Sequence, residues 1–178
     1  RAIVRHEPRA SCPSSAAVQD RREHEDFPVV GNAGRWDAVR ALLKASIDRP
    51  GSRPILVLGP CGVGKTSGVH ACVRAAGREL VELCGPDATT PQRVWGDLYD
   101  ASTRAGIEDA PCVTLLDDVD GVPAECASGV LRFARDDRAA AGGVVVMTAG
   151  TRLPAHMSKL RAACNVVCVE PLAIDDEM

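Results

Sequence analysis

The sequence predicts an α/β fold: an open, five-stranded parallel sheet with helices on both faces. Three observations carry this expectation. Short apolar runs alternate with stretches of helical periodicity along most of the chain. Only 3% of the residues are aromatic against 46% hydrophobic, so the core must be built from Val, Leu, Ala and Cys, which suits strands buried on both sides. The run Pro54–Ser67, P-I-L-V-L-G-P-C-G-V-G-K-T-S, joins an apolar strand to a helix through a glycine-rich turn.

Taken in order, Arg1–Asp26 interleaves arginines with acids around two prolines and has almost no apolar periodicity, which predicts a tail or linker. Residues 27–178 are expected to form one nucleotide-binding core. Phe27–Asn32 is a short apolar lead-in, followed by a helix from about Gly34 to Ser46 with Trp36, Val39, Leu42 and Leu43 at helical spacing, ended by Pro50-Gly51. Strand Ile55–Leu58 feeds the glycine-rich turn and a helix Thr66–Ala76, which Gly77 closes. Strand Leu80–Leu83 precedes a helix opened by Pro91 and running to about Ala105. Val113–Leu116 is a strand that ends in Asp117-Asp118-Val119-Asp120. A helix around Cys126–Ala134, strand Val144–Thr148, a short helical stretch within Leu153–Ala163 and strand Asn165–Val169 complete the alternation. Right-handed crossovers then place helices on both faces.

The turn carries the most specific chemistry. Gly59-x-x-x-x-Gly64-Lys65-Thr66 would occur by chance roughly 0.002 times in a chain of this composition. Consecutive backbone N–H groups of Gly59, Pro60, Cys61, Gly62, Val63, Gly64, Lys65, Thr66 and Ser67, proline excepted, can face an anion at a helix N-terminus. Lys65 would reach the β- and γ-phosphates of ATP, and Thr66 would give its hydroxyl to Mg²⁺. Asp117 ends a strand at the sheet edge where ligands bind, so it is a candidate Mg²⁺ ligand beside Thr66. Asp118, next to it, is the candidate acid that orients or deprotonates an attacking water.

Composition bounds the rest. Net charge is −3, and only three of the 21 basic residues are lysines, so there is no global nucleic-acid footprint; DNA contact would come from a local face or from partner subunits. Eight cysteines without a C-x-x-C pair read as free, mostly buried thiols of a reducing compartment. With no signal peptide and no bilayer-spanning run, a soluble protein of nucleus or cytoplasm, or of a viral replication site, is expected. The chain begins at Arg1 and reads as a piece of something longer.

G-P-C-G-V-G-K-T, then V-E-L, then L-L-D-D-V-D-G, then V-V-V-M-T-A resembles the AAA+ ATPases, P-loop NTPases, over about Phe27–Pro171. Within them, Val29–Asn32 is similar to the segment near adenine in clamp-loader subunits, which implies Val30 and Gly31 as base contacts. Leu116–Gly121 resembles the Walker B run of the replication factor C large subunit, and Gly59–Cys72 is also close to the alternative large subunit used in clamp unloading. The resemblance implies small-subunit partners in a hetero-oligomeric ring, a sliding clamp, and DNA reached through the assembly. It also implies a three-helix lid after the last strand, which residues up to Met178 do not include. Three departures weaken hydrolysis. Ala162-Ala163-Cys164 stands where small subunits have Ser-Arg-Cys, leaving Arg161 as a surface arginine or a partial substitute for the finger. Asp118 stands for the common Glu; Ala149 falls at or next to the sensor 1 Asn, with Thr148 the only nearby hydroxyl and therefore a candidate catalytic residue. ATP-dependent clamp loading or unloading with slow, partner-dependent hydrolysis is the leading expectation. A degenerate nucleotide-binding module without turnover and a P-loop kinase are the alternatives.

Overall fold

The computed structural model describes residues 31–49, 51–106, 110–136 and 143–171. Its elements are α1 (Ala33–Asp48), β1 (Ile55–Leu58), α2 (Lys65–Ala75), β2 (Leu80–Cys84), α3 (Pro91–Ser102), β3 (Val113–Asp117), α4 (Ala127–Phe133), β4 (Val144–Ala149), α5 (Leu160–Ala163) and β5 (Asn165–Cys168). All strand pairs are parallel, in the order β2-β3-β4-β1-β5. The expected five-stranded α/β architecture is therefore present. Lead-in residues 27–30, the tail 1–26 and Cys12 lie outside the described residues.

Side chains alternate across the sheet and split the core in two. Ile55 and Val57 with Val113, Leu115, Val144 and Val146 face α1 and α2, meeting Trp36, Val39, Leu43, Val69, Cys72 and Val73. Leu56 and Leu58 with Leu116, Val145 and Met147 face the opposite way, onto Leu98, Val130, Phe133, Met157 and Leu160. Strands buried on both faces need no polar alternation, which is why β1, and β4 up to Met147, read as continuous apolar runs. Each buried Val, Leu or Phe side chain contributes about 1.5–3 kcal/mol relative to exposure.

The helix ends follow local chemistry. Thr90 caps α3 by accepting from Arg93 N at 3.2 Å, with Pro91 in the first turn. Gly77, at φ 65°, closes α2: its N–H donates to Arg74 O and that of Arg78 to Val73 O. Helix α3 ends at Ser102, three residues before the expected Ala105. The Arg104 carbonyl is taken by Cys112 N, and Ala105 bridges Pro111 instead of continuing the helix. The span Leu153–Ala163 holds two short pieces, a 3₁₀ turn Ala155–Met157 and α5.

Among the described residues no two cysteines form a disulfide: Cys72, Cys112, Cys126 and Cys164 are buried, Cys168 is half-buried, and Cys61 and Cys84 are exposed. Burial pushes the Cys164 thiol up to about 12, which leaves it a small apolar filler. No helix among the described residues is long and apolar enough to cross a membrane.

Candidate functional site

Strand order builds the site. Because β4 lies between β1 and β3, the turn after β1 and the acid ending β3 flank the end of β4, and α2 begins above it. Gly62 and Gly64 both adopt φ 80°, the left-handed conformation that lets the turn reverse onto α2. Gly59 serves a different purpose: a Cβ there would stand 2.6 Å from the Val169 carbonyl oxygen, so only glycine lets β1 leave the sheet beside β5. Its N–H donates to Ala149 O at 3.2 Å, tying the start of the loop to the end of β4. Pro60 is half-buried, Cys61 exposed and Val63 packed on the α1/α2 side of the core, while Ser67 is half-buried in the first turn of α2.

The Lys65 ammonium is folded back into its own loop, donating to Gly59 O and Pro60 O, each at 3.0 Å. Thr66 Oγ1 donates to Asp117, 3.0 Å from Oδ1 and 3.1 Å from Oδ2. Two positions 51 residues apart in the chain thus meet at one spot. A hydroxyl and a carboxylate are hard oxygen donors of the kind Mg²⁺ takes, and too few to enclose it without phosphates and water. That donor set fits the cation expected from the sequence, with Thr66 and Asp117 as the residues that would hold it.

Asp118 sits in the left-handed region, φ 51° and ψ 52°, an uncommon state for a non-glycine residue. Its carbonyl lies 2.5 Å from where a Cβ on Gly85 would be, so the turn after β2 packs directly beneath it. Its carboxylate is exposed, yet partial loss of water is the largest cause raising its pKa, followed by the charges of Asp117 and Asp120, with Lys65 opposing. A carboxyl raised in the folded state makes folding less favourable once it ionises, so the cost is absent below the ordinary carboxylate range and grows as pH rises through it. Asp118→Asn is therefore expected to raise Tm at pH 7 by no more than about 2 °C, a gain that vanishes in melts near pH 3. An equal gain at both values would show that charge is not the cause.

Thr148 is fully buried, and its hydroxyl contacts acids rather than open space: it donates to Asp117 Oδ1 and accepts from Asp118 N at 3.1 Å. Ala149, expected at or next to the sensor 1 position, turns its side chain into the core at 0% exposure. The first residue past β4 is Gly150, and a Cβ there would meet Asp120 Oδ2 at 2.9 Å. Among the described residues Asp120 Oδ1 is one of three buried side-chain polar atoms without a partner.

Gly31, φ 81°, and Asn32, φ 53°, form a left-handed turn ahead of α1. The Asn32 amide pairs with the Glu170 backbone at two points, donating to O at 2.6 Å and accepting from N at 3.3 Å. Val30 lies outside the described residues. The roles of Asn32, Gly85 and Gly150 were not legible beforehand. Gly85-Pro86 directly after a strand was the available signal for one of them. Arg161 is exposed on α5.

A parallel sheet whose first strand runs through a glycine turn into a helix, with an acid two strands away, defines a P-loop NTPase core. Residues 55–169 match the model of the AAA family, "ATPase family associated with various cellular activities", and the chain belongs to that family. It is 30% identical over 141 residues to the replication factor C large subunit of Thermofilum pendens, covering 78% of this chain and 34% of that protein. It is 29% identical over 116 residues to the chromosome transmission fidelity protein 18 homolog of Xenopus laevis, covering 60% of this chain and 12% of the relative. The chain thus spans about a third or less of the length of these relatives. The Thermotoga maritima RuvB Holliday junction branch migration motor has the same fold at TM-score 0.56 and 19% identity, over 79% of this chain and 45% of that one.

Proposed function

We propose that residues 27–178 bind Mg²⁺–ATP and serve as the nucleotide-binding unit of a clamp-loader-type large subunit, with 1–26 as a linker. The observation that carries this is the Thr66–Asp117 contact, which brings the loop hydroxyl and the strand-end acid to one point. In this reading backbone N–H groups of Cys61–Thr66 hold the phosphates. Lys65 exchanges its two loop carbonyls for phosphate oxygens, so the ammonium is never without partners. Thr66 and Asp117 hold Mg²⁺, which when bound neutralises phosphate charge. Gly31, with Val30, borders the base. Asp118 polarises the attacking water from a carboxyl one methylene shorter than Glu.

Similarity to replication factor C large subunits and chromosome transmission fidelity protein 18 homologs supports a ring of large and small subunits acting on a sliding clamp and DNA in the nucleus or cytoplasm. Hydrolysis should be slow alone, because neither Ala149, turned into the core, nor Gly150 just beyond it offers a polar side chain at the sensor 1 place, and an arginine must come from a neighbour; such an arginine supplies roughly 10³-fold or more. The same glycine favours a second reading, a module that binds nucleotide and never turns over.

Equilibrium binding of a fluorescent ATP analogue with and without Mg²⁺, then phosphate release alone and with clamp-loader small subunits, clamp and primed DNA, separates these. Binding tightened by Mg²⁺ with release stimulated by the assembly is expected. Tight binding without release in the full assembly would establish the second reading, and transfer to a small acceptor would overturn both in favour of a kinase.

A further inference from the structure

We infer that Thr148 is a positioning residue for both acids at the end of β3, not a group that touches the reacting phosphate. This rests on the Mg²⁺–ATP reading above. The direction of its hydrogen bonds is determined: Asp118 N can only donate, so Thr148 Oγ1 accepts there, and its single hydrogen goes to Asp117 Oδ1. One hydroxyl therefore does two things. It orients the carboxylate that faces Thr66, and it satisfies the N–H of Asp118, holding the left-handed turn from which that side chain projects.

Its location makes it suited to this. Thr148 is in the middle strand of the three that build the site, paired with Val57 of β1, and is fully buried. A β-branched side chain in a packed strand has few rotamers, so the hydroxyl is placed by the sheet rather than by a loop. The two hydroxyls on Asp117 also differ in fate. Thr66 is itself a candidate ligand, so its bond to Asp117 changes when a cation arrives. The bond from Thr148 comes from within the sheet and remains, keeping the carboxylate in one orientation in both states. This is the outer-shell arrangement in which a partner hydrogen-bonded to a ligating carboxylate sets metal affinity.

Thr148→Val keeps the shape and removes the hydroxyl, whereas Thr148→Ser keeps the hydroxyl. With the intact 178-residue chain, fluorescent ATP-analogue binding is titrated with Mg²⁺, and Mn²⁺ binding is followed by water proton relaxation. For Thr148→Val the divalent concentration giving half the effect should rise roughly 10–100-fold, while nucleotide affinity in excess chelator stays close to wild type. Thr148→Ser should restore the wild-type titration. A general packing role would lower both affinities together and would not be rescued by serine. A Thr148→Val protein that titrates like wild type overturns the inference while leaving the Mg²⁺–ATP reading intact. A wild-type protein whose nucleotide affinity ignores Mg²⁺ overturns both. If the valine protein does not fold, Thr148→Ala gives the same comparison: a weakened divalent response supports the role and an unchanged one overturns it.

Discussion

Lys65→Ala is expected to weaken nucleotide binding at least about 100-fold, or ~2.8 kcal/mol at 1.4 kcal/mol per tenfold, with or without Mg²⁺. The size follows from what the ammonium does in each state. It donates to Gly59 O and Pro60 O at 3.0 Å, so it is held inside the loop and half-buried. Phosphate offers charged acceptors in place of neutral carbonyls, and charge-assisted bonds are roughly twice as strong. Alanine leaves the backbone N–H groups but removes the only lysine in the loop, and a phosphate group then meets the nearby acids Asp117, Asp118 and Asp120 with less compensation. Lys65 also opposes the upward shift of Asp118, so its removal should raise that carboxyl further. Isothermal titration with ATP in chelator and in Mg²⁺ measures the effect. Losses confined to the Mg²⁺ condition would mean that Lys65 acts through the cation site, and an unchanged affinity would sink the phosphate-loop assignment.

Much of this was legible in the sequence because it is written in short-range pattern. Largely apolar runs mark β1, β3 and β4, with Thr114 and Thr148 the polar exceptions, since strands covered on both faces need no polar alternation. The spacing Gly59 to Thr66 and an acid ending an apolar strand are likewise local features. What was not legible depends on which strand lies beside which. Thr148 reads in the sequence as one more strand residue or as a stand-in for an absent Asn; only the placement of β4 between β1 and β3 brings its hydroxyl onto Asp117. The resemblance puts Ala149 at or next to the sensor 1 position, and the strand's alternation turns its side chain into the core. The Asn32 amide meets the Glu170 backbone across 138 residues, a pairing without any local signature. Close approaches are equally silent: Gly85-Pro86 signals a turn, but the need for glycine there comes from the Asp118 carbonyl 2.5 Å from its missing Cβ.

Gly59→Ala should cost the fold about 2–3 kcal/mol and abolish phosphate binding, although it is the smallest possible change. Its Cβ would stand 2.6 Å from Val169 O and 3.2 Å from Val63 Cγ2. The valine methyl can rotate away; the carbonyl cannot. Val169 N donates to Leu58 O at 2.7 Å, Leu58 is paired with Cys168, and the next residue, Glu170, is held at both backbone atoms by Asn32. The clash must be relieved by moving the start of the loop, which breaks the 3.2 Å bond from Gly59 N to Ala149 O and displaces the carbonyls that seat Lys65. Stability and binding should therefore fall together, as read by denaturant melts and by ATP titration of the same protein. Gly34→Ala is the matched control. It makes the same chemical change in the first turns of α1, where nothing lies within 4 Å of the added carbon, and a helix gains about 0.5–1 kcal/mol from that exchange. If Gly59→Ala melts and binds like wild type, β5 yields at Val169, and the exit of β1 is not the rigid anchor of the phosphate loop.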